Sequence, residues 1–176
     1  MKVFFVRHGQ TNYNLLNLCN ENPAINVHLT GLGIQQAKIV ATKLKDEIFD
    51  LVIFSELPRT KETALIIAAD RKVEMKTESR INDRKTGFEG KPVSDFFVEL
   101  GPDVFYSKVN DGESFQEEKT RIFSFLEDLK KCDSENVLIV SHSETMQVIN
   151  GYFNKLSDQE MIDTKIDNCE ILKFIL

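Results

Sequence analysis

The sequence predicts an α/β fold: a single-domain, doubly wound, mostly parallel sheet with helices on both faces. Short apolar runs typical of buried strands alternate with patterns typical of amphipathic helices, which favours parallel strands joined by helical crossovers. The 176 residues suit one domain, and no repeat, low-complexity tract or linker rich in glycine, proline and serine divides them. We therefore expect one domain over residues 1–176.

The strands are predicted from five short segments that are bounded by polar or turn-forming residues. In chain order they are residues 3–6, 51–54, 73–76, 137–140 and 170–175. Segments 3–6, 51–54 and 137–140 are apolar throughout, as expected for strands covered on both faces. The pattern at 73–76 is thin, and 170–175 alternates, so these two are the weaker predictions.

Apolar residues at spacings of three and four predict the first long helix. Its stripe runs from Ile34 to Ile48, and Thr30 stands where an N-cap is expected. A second helix is predicted to begin near Pro58, because proline suits a first helical turn, and to continue through residues 64–69. Each helix would join two predicted strands and cover one face of the sheet.

Two capping boxes predict where later helices begin. Ser114 is followed three residues later by Glu117, and Ser157 is followed at the same spacing by Glu160. Residues 79–111 have the least regular pattern in the chain. We expect this segment to be an excursion from the sheet, with most of its aromatic side chains packed.

Composition and charge restrict the classes of function. The chain has 22 Lys and Arg against 28 Asp and Glu, a net charge of −6, which argues against general nucleic-acid binding. Its 3 cysteines are odd in number and form no Cys-x-x-Cys pair, so no disulfide framework is expected. Because no signal or membrane-spanning pattern is visible, we expect a cytoplasmic protein without membrane partners.

Charged side chains follow four of the predicted strands. The carboxyl ends of parallel strands meet at one edge of a sheet, so these side chains should converge there. In strand order they are Arg7 and His8, then Arg59, then Asp83 and Glu89, and finally His142. Their combination favours catalysis over a structural role. No close pair such as His-x-x-x-His occurs, so no metal site is predicted.

This set of side chains suits a phosphate monoester. Arginine holds a phosphoryl group through a fixed fork of N–H donors and never loses its proton. A histidine beside such cations stays neutral, because the positive charge lowers its pKa, and neutral imidazole can attack phosphorus. A carboxylic acid is then needed to protonate the departing alcohol oxygen.

Five short blocks, in order along the chain, carry a resemblance to a known family. They are residues 5–11 (FVRHGQT), 29–33 (LTGLG), 55–60 (SELPRT), 112–114 (GES) and 140–142 (VSH). Together they resemble the histidine phosphatase superfamily, in its phosphoglycerate-mutase-like branch. The blocks span essentially the whole chain, and their shared order makes the resemblance far more specific than a lone Arg-His-Gly.

The resemblance implies hydrolysis of small phosphomonoesters through a phosphohistidine intermediate, with no metal and no other cofactor. His8 would be the nucleophile, and Asp83 would act first as the acid and then as the base. The implied site residues are, as catalytic groups, His8, Asp83 and His142, and, as phosphate-binding groups, Arg7, Arg59, Asn14 and Glu89. The implied partner is a small phosphorylated substrate, and a homo-oligomer is left open.

Departures from the family pattern leave alternatives open. Asp83 stands where the family usually has a glutamate, and the turn Gly87-Phe88-Glu89-Gly90 is one residue shorter than usual. Glu89 is therefore an alternative general acid. Two rival functions remain, a phosphoglycerate mutase that uses the same intermediate and a phospho-ligand binding protein without turnover. The 176 residues leave little chain for the enclosed site that a mutase requires.

Overall fold

Five strands form one sheet at the centre of the protein. In a computed structural model that describes residues 1–69 and 71–176, they are β1 (Lys2–Arg7), β2 (Leu51–Phe54), β3 (Glu74–Thr77), β4 (Asn136–Ser141) and β5 (Ile171–Ile175). The spatial order is β3-β2-β4-β1-β5. All neighbouring strands are parallel except β1 and β5, which are antiparallel. The predicted mostly parallel sheet and its five strands are confirmed.

Helices occupy both faces of this sheet. They are α1 (Asn12–Leu16), α2 (Gly31–Lys43), α3 (Pro58–Ile67), α4 (Val93–Leu100), α5 (Phe115–Leu129), α6 (Ser143–Asn154) and α7 (Asp158–Asp163), with a short 3₁₀ turn at Ser79–Ile81. No helix in residues 1–69 or 71–176 has the length and apolar character needed to span a membrane.

The predicted helix starts are confirmed. The hydroxyl of Thr30 accepts a hydrogen bond from the Gly33 N–H at 3.0 Å, and Pro58 is the first residue of α3. Both capping boxes form, so that the serine side chain and the glutamate three residues later satisfy each other's free backbone N–H. These ends are specified by local contacts, which is why the sequence alone predicts them.

One part of the helical prediction is wrong. The apolar stripe of α2 does not continue to Ile48, because the helix ends at Lys43 and the chain turns. Ile48 is 79% exposed, and the neighbouring Phe49 is buried instead, with its ring edge-on to Phe4 at 5.4 Å. Once the helix ends, the 3.6-residue period no longer determines which side chain faces the core.

The sheet separates two apolar cores. Along β1, Val3 and Phe5 point into the core beneath α5 and α6, whereas Phe4 and Val6 point into the core beneath α2 and α3. The strands β1 and β4 are nearly inaccessible to solvent on both faces. This double burial explains their uninterrupted apolar sequences and places their carboxyl ends at the centre of the sheet edge.

A third, smaller core, which we call the side cluster, consists of Cys19, Phe88, Phe96 and Leu100. It lies outside the two cores of the sheet and joins the loop after α1 to the region around α4. The predicted excursion of residues 79–111 from the sheet is therefore confirmed. Most of its aromatic rings pack as expected, but Phe97 and Tyr106 are exposed.

Candidate active site

The ends of the central strands bring two histidines together. His8 directly follows β1, and His142 directly follows β4, its parallel neighbour. Their ring centroids are 5.3 Å apart, and both side chains are almost fully buried. After His8 the chain passes close to the start of α2, where a Cβ on Gly9 would lie 2.5 Å from the carbonyl oxygen of Gly33. The absence of a side chain at Gly9 therefore lets this loop close over the helix.

The Arg59 guanidinium occupies the centre of the site. It is 3% exposed, and its Nε donates to Nε2 of His8 at 3.0 Å. Its Nη2 lies 2.9 Å from Nδ1 of His142 and 2.8 Å from Oδ2 of Asp83. The side chain and carbonyl oxygens of Asn20 accept its remaining hydrogen bonds. We call His8, Arg59, Asp83 and His142 the strand-end cluster.

The hydrogen bonds of His8 determine its tautomer. Its Nδ1 lies 2.7 Å from the Gly9 carbonyl oxygen, which can only accept, so Nδ1 carries the proton. Nε2 therefore holds a free lone pair, directed at Arg59. Burial, and then the charges of Arg59 and Arg7, hold the pKa of His8 well below the usual value for histidine. The ring is thus a neutral base with its nucleophilic nitrogen facing a cation.

His142 is held as the opposite tautomer. Its Nε2 lies 2.8 Å from the hydroxyl oxygen of Ser55. That hydroxyl can donate its own hydrogen bond to the Thr60 hydroxyl, also at 2.8 Å. Nε2 of His142 therefore donates, and Nδ1 accepts from Arg59. Burial, and then the charge of Arg59, lower the pKa of His142 well below its usual value. Both rings thus stay neutral around one guanidinium.

The chain after α7 supports the rim of the site. Arg7 donates from Nη1 to the Ile166 carbonyl oxygen at 2.6 Å, and Asn168 donates to the carbonyl oxygen of His8 at 3.0 Å. The Nε of Arg7 is buried without a hydrogen-bond partner among the described residues. Asn14 closes the capping box of α1, since its Oδ1 accepts from the Thr11 N–H at 2.9 Å. Arg7 and Asn14 both border the cleft described below.

The two candidate acids occupy different places. Asp83 joins the strand-end cluster, with Oδ2 on Arg59 and 3.6 Å from Nδ1 of His142. Glu89 lies outside it, and its carboxylate accepts from Asn20 Nδ2 at 3.0 Å and from the N–H groups of residues 21 and 22 at 2.7 and 2.8 Å. Glu89 therefore orients the amide whose oxygen faces Arg59, and this geometry does not support its predicted contact with phosphate.

An open cleft of about 680 Å³ borders the cluster. Its polar wall includes Arg7, Asn14, Asn20, Asp83, Arg84 and Glu144, and its apolar wall includes Tyr13, Val93, Phe96 and Phe97. One part of the cleft can therefore receive an anion and another an organic group. Among the described residues, no group of three or more His, Cys, Asp or Glu side chains is arranged to hold a metal ion.

Sequence reasoning missed two kinds of site residue. Asn20 holds Arg59, yet it lies in an irregular loop where no spacing or motif marks it. Arg84 and Glu144 face each other across the cleft wall with 3.3 Å between Nη2 and Oε1. Arg84 directly follows the predicted site residue Asp83, and Glu144 lies two residues after the predicted site residue His142. That proximity was the available signal for them.

Comparisons with known proteins give a family match over almost the whole chain. The histidine phosphatase superfamily (branch 1) matches the chain over residues 3–175. The adenosylcobalamin/alpha-ribazole phosphatase of Salmonella typhimurium is 30% identical over 158 residues, which cover 85% of this chain and 77% of that protein.

Solved structures show the same fold. The crystal structure of the alpha-ribazole phosphatase from Shigella flexneri superposes with a TM-score of 0.88 at 26% identity, covering 98% of this chain and 89% of that chain. A phosphoserine phosphatase from Entamoeba histolytica in complex with 3-phosphoglyceric acid gives 0.80 at 25% identity, covering 99% and 90%.

The fold and these relatives define the class of protein, a phosphomonoester hydrolase. The chain belongs to the histidine phosphatase superfamily.

Proposed function

We propose that this enzyme hydrolyses small phosphomonoesters through a phosphohistidine on Nε2 of His8, without a metal ion. The observation that carries the proposal is the unprotonated Nε2 of a buried histidine, 3.0 Å from the Nε of Arg59. A nucleophile and a phosphate-binding cation are thus adjacent. Electrostatic stabilisation of phosphoryl oxygens needs such fixed donors.

Substrate binding rearranges the hydrogen bonds of Arg59. A phosphoryl group between Arg59 and His8 takes over the N–H groups that the free enzyme directs at His8 and Asp83. Arg7 adds its unpartnered Nε, and Asn14 contributes its amide from the rim. Asp83 thereby loses its ion pair with Arg59 next to a dianion. Asp83 is then free to approach the leaving oxygen as the acid.

The reaction then proceeds in two displacements. Nε2 of His8 attacks phosphorus, the bond from phosphorus to the alcohol oxygen breaks, and Asp83 gives its proton to that oxygen. In the second step Asp83, now a carboxylate, takes a proton from water. The resulting hydroxide oxygen bonds to phosphorus, the N–P bond breaks, and neutral His8 is restored. Arg59 holds the phosphoryl oxygens through both steps, and Nδ1 of His142, which accepts from Arg59, keeps the guanidinium in position.

In this mechanism the protein's own arginines stabilise the negative charge on the phosphoryl group during its transfer. Arg7 and Arg59 supply two permanent positive charges beside His8, and both lower the pKa of that histidine. Such charges perform the role that a divalent ion performs in metal-dependent phosphatases. In both histidines one ring nitrogen accepts a hydrogen bond from Arg59. The other ring nitrogen donates, to the Gly9 carbonyl in His8 and to the Ser55 hydroxyl in His142.

Trapping of the intermediate tests the proposal. Wild-type protein mixed with a ³²P-labelled phosphomonoester and quenched within milliseconds should retain label that is stable to base and labile to acid. His8→Ala should retain none and lose turnover. His28→Ala is the matched control, because the His28 side chain is 59% exposed and its Nδ1 lies 3.4 Å from Glu62 Oε2. Equal labelling of wild type and His8→Ala would overturn the assignment of the nucleophile.

A separate assay distinguishes hydrolysis from mutase action. A mutase keeps its phosphorylated intermediate away from water. Here the cleft is open, and its wall includes Phe97, which is half exposed. With a phosphoglycerate isomer and its bisphosphate, free phosphate should match substrate consumed one for one. Isomer interconversion that outruns phosphate release by about a hundredfold, some 2.7 kcal/mol of preference, would make the enzyme a mutase.

A further inference from the structure

The Gly-Glu-Ser block of the sequence has no part in the proposed mechanism. It lies at the start of α5, where the Ser114 side chain caps the helix. A Cβ on Gly112 would lie 2.8 Å from the carbonyl oxygen of Lys85, so the block runs directly against the chain that carries Asp83. We call residues 80–85 the acid segment. The block therefore connects α5 to the candidate acid.

A single arginine of α5 binds the backbone of the acid segment. Most of this segment lies outside the helices and strands, so its carbonyl groups need partners from elsewhere. Nη1 of Arg121 donates to the carbonyl oxygens of Arg80 and Asn82 at 2.8 and 3.0 Å. Nη2 of Arg121 lies 3.4 Å from the carbonyl oxygen of Asp83. One guanidinium thus holds the backbone that leads to the acid.

Glu113, the central residue of the block, fixes the orientation of Arg121. Its Oε1 accepts from Nε of Arg121 at 2.6 Å, and its Oε2 accepts from Nη2 at 2.8 Å. A guanidinium has five N–H donors in one plane, and these two bonds and the three to the acid segment engage all five. The donors of Arg121 are thus matched by the protein itself, which indicates a positioning role and not contact with substrate.

The acid segment is also bonded to the strand end beside it. The hydroxyl of Ser141, the last residue of β4, donates to the carbonyl oxygen of Ile81 at 2.7 Å. Four consecutive carbonyl groups, those of residues 80–83, therefore accept from side chains around them. Because Ser141 directly precedes His142, this bonding ties the acid to the strand end that carries the second histidine.

The chemistry of the acid makes its backbone position important. An aspartate side chain is one methylene shorter than glutamate, so it has fewer torsions with which to correct a displaced backbone. A proton donor must come within hydrogen-bond reach of the leaving oxygen, and a displacement of about 1 Å can cost about a hundredfold in rate. In the free enzyme the Asp83 carboxylate lies 2.8 Å from Nη2 of Arg59. The backbone must therefore stay in place while this side chain turns to the substrate.

We propose that Arg121, oriented by Glu113, is a positioning residue for the general acid: it fixes the acid segment so that Asp83 reaches the leaving oxygen. This inference rests on the proposed phosphatase function, and it gives the Gly-Glu-Ser block a role in that function. Loss of Arg121 should impair the transfer of the proton far more than the attack by His8.

The dependence of turnover on the leaving group provides the test, because a displaced acid matters only when the departing oxygen needs a proton. The two substrates are p-nitrophenyl phosphate and n-propyl phosphate. The measured quantity is the ratio of kcat/KM for the aryl ester to kcat/KM for the alkyl ester. In the proposed mechanism kcat/KM reports the formation of the phosphoenzyme, the step in which the alcohol departs. Loss of folded protein lowers both values alike and leaves the ratio unchanged.

Single variants show whether Arg121 matters for this ratio. Arg121→Met should raise it about tenfold above wild type. Arg121→Lys should give a smaller rise, because one ammonium replaces only part of the planar fork. Glu113→Gln, which leaves Arg121 in place but removes the charge that orients it, should also give a smaller rise. The matched control is Arg80→Met, which removes an arginine side chain from the acid segment whose ion pairs go to Glu78 and Asp128. The control should keep the wild-type ratio.

A double variant shows whether Arg121 acts through Asp83. If it does, the ratio for Asp83→Asn combined with Arg121→Met should equal that for Asp83→Asn alone within about twofold, because no acid is left to be displaced. Independent effects would multiply instead.

Each outcome has a distinct meaning. If Arg121→Met slows both esters equally, or if its effect multiplies with that of Asp83→Asn, the positioning role is refuted while the phosphatase function stands. If Arg121→Met does not fold, an unchanged ratio in both Arg121→Lys and Glu113→Gln refutes the role. If Asp83→Asn leaves the ratio at the wild-type value, the acid is another group and the inference fails, although label trapped on His8 would still support the phosphohistidine. If no ester is hydrolysed and no phosphoenzyme forms, the proposed function fails and the inference with it.

Discussion

Two groups of buried and partly buried charged side chains lie side by side in this protein, and they differ in whether arginines or carboxylates are in the majority. In the strand-end cluster Arg59 is paired with Asp83, and Arg7 adds a second positive charge beside His8. In the neighbouring group, which we call the helix cluster, carboxylates outnumber arginines; its members are Arg84, Glu113, Glu118, Arg121 and Glu144.

Both groups favour neutral side chains, but with opposite chemical results. Burial and cations lower the pKa of His8 and His142, which leaves unprotonated bases. Burial raises the pKa of Glu118, to which the charge of Glu144 adds, and burial raises the pKa of Glu144 against the opposing charge of Arg84. Burial is the larger cause in both groups, and it disfavours the charged form of each side chain, which lowers the pKa of a histidine and raises that of a carboxyl.

Removal of Arg59 should have the largest effect, because it eliminates the cation that distinguishes the strand-end cluster. We expect Arg59→Met to lower kcat/KM by about a thousandfold or more, some 4 kcal/mol. The pKa values of His8 and His142 should both rise, since a neighbouring positive charge is lost, although burial still opposes protonation. Enzyme kinetics and ¹⁵N NMR titration of the imidazoles provide the measurements. Unchanged histidine pKa values would show that burial alone accounts for their neutrality.

Removal of the acid should have the next largest effect, and the effect should depend on the substrate. Asp83→Asn should slow alkyl phosphates by about a hundredfold, some 2.7 kcal/mol, but slow p-nitrophenyl phosphate far less, because that leaving group needs no proton. Glu89→Gln, which loosens the loop around Asn20, should change both substrates alike. If Glu89→Gln shows the dependence on leaving group and Asp83→Asn does not, the acid is Glu89.

Glu118 of the helix cluster should influence stability more than rate. Glu118 is fully buried, its Oε2 has no partner among the described residues, and its pKa is raised in the folded protein. Above the ordinary pKa of a carboxyl, the folded state then binds more protons than the unfolded state, so stability falls as pH rises. Glu118→Gln removes the titrating carboxyl and with it this contribution to the pH dependence of stability. Its Tm should exceed that of wild type by a few degrees at pH 8 and match it near pH 4. A constant difference across this range would contradict the assignment.

Chelation should have the smallest effect. Because Arg7 and Arg59 supply the positive charge at the strand-end cluster, exhaustive treatment with EDTA should change turnover by less than about twofold. Vanadate should inhibit the same sample, since its trigonal-bipyramidal adduct resembles the transferring phosphoryl group. Loss of activity with EDTA that a divalent cation restores would show that the arginines are not sufficient.

The sequence predicts those parts of the molecule that depend on local or periodic signals. The buried runs of β1, β2 and β4 and the capping boxes of α5 and α7 are such cases. The strand ends then follow from topology, which is why the approach of His8 and His142 was predictable.

Other parts depend on contacts between loops that are distant in sequence. Asn20 reaches Arg59 only because Glu89 and the backbone of residues 90 and 91 hold its loop. No periodicity encodes that pairing. Likewise, the exposure of Ile48 depends on where the chain turns after α2, and the partly unmatched donors of Arg84 depend on how α4 packs over it.

The side cluster has a consequence for how such an enzyme diversifies. Cys19, Phe88, Phe96 and Leu100 form a core of their own, separate from the two beneath and above the sheet. Mutations that reshape this outer wall need not disturb the packing that fixes the strand ends. Directed evolution confined to the helix at residues 93–100 therefore offers a route to new substrates that leaves the contacts of Glu89 with the Asn20 loop in place.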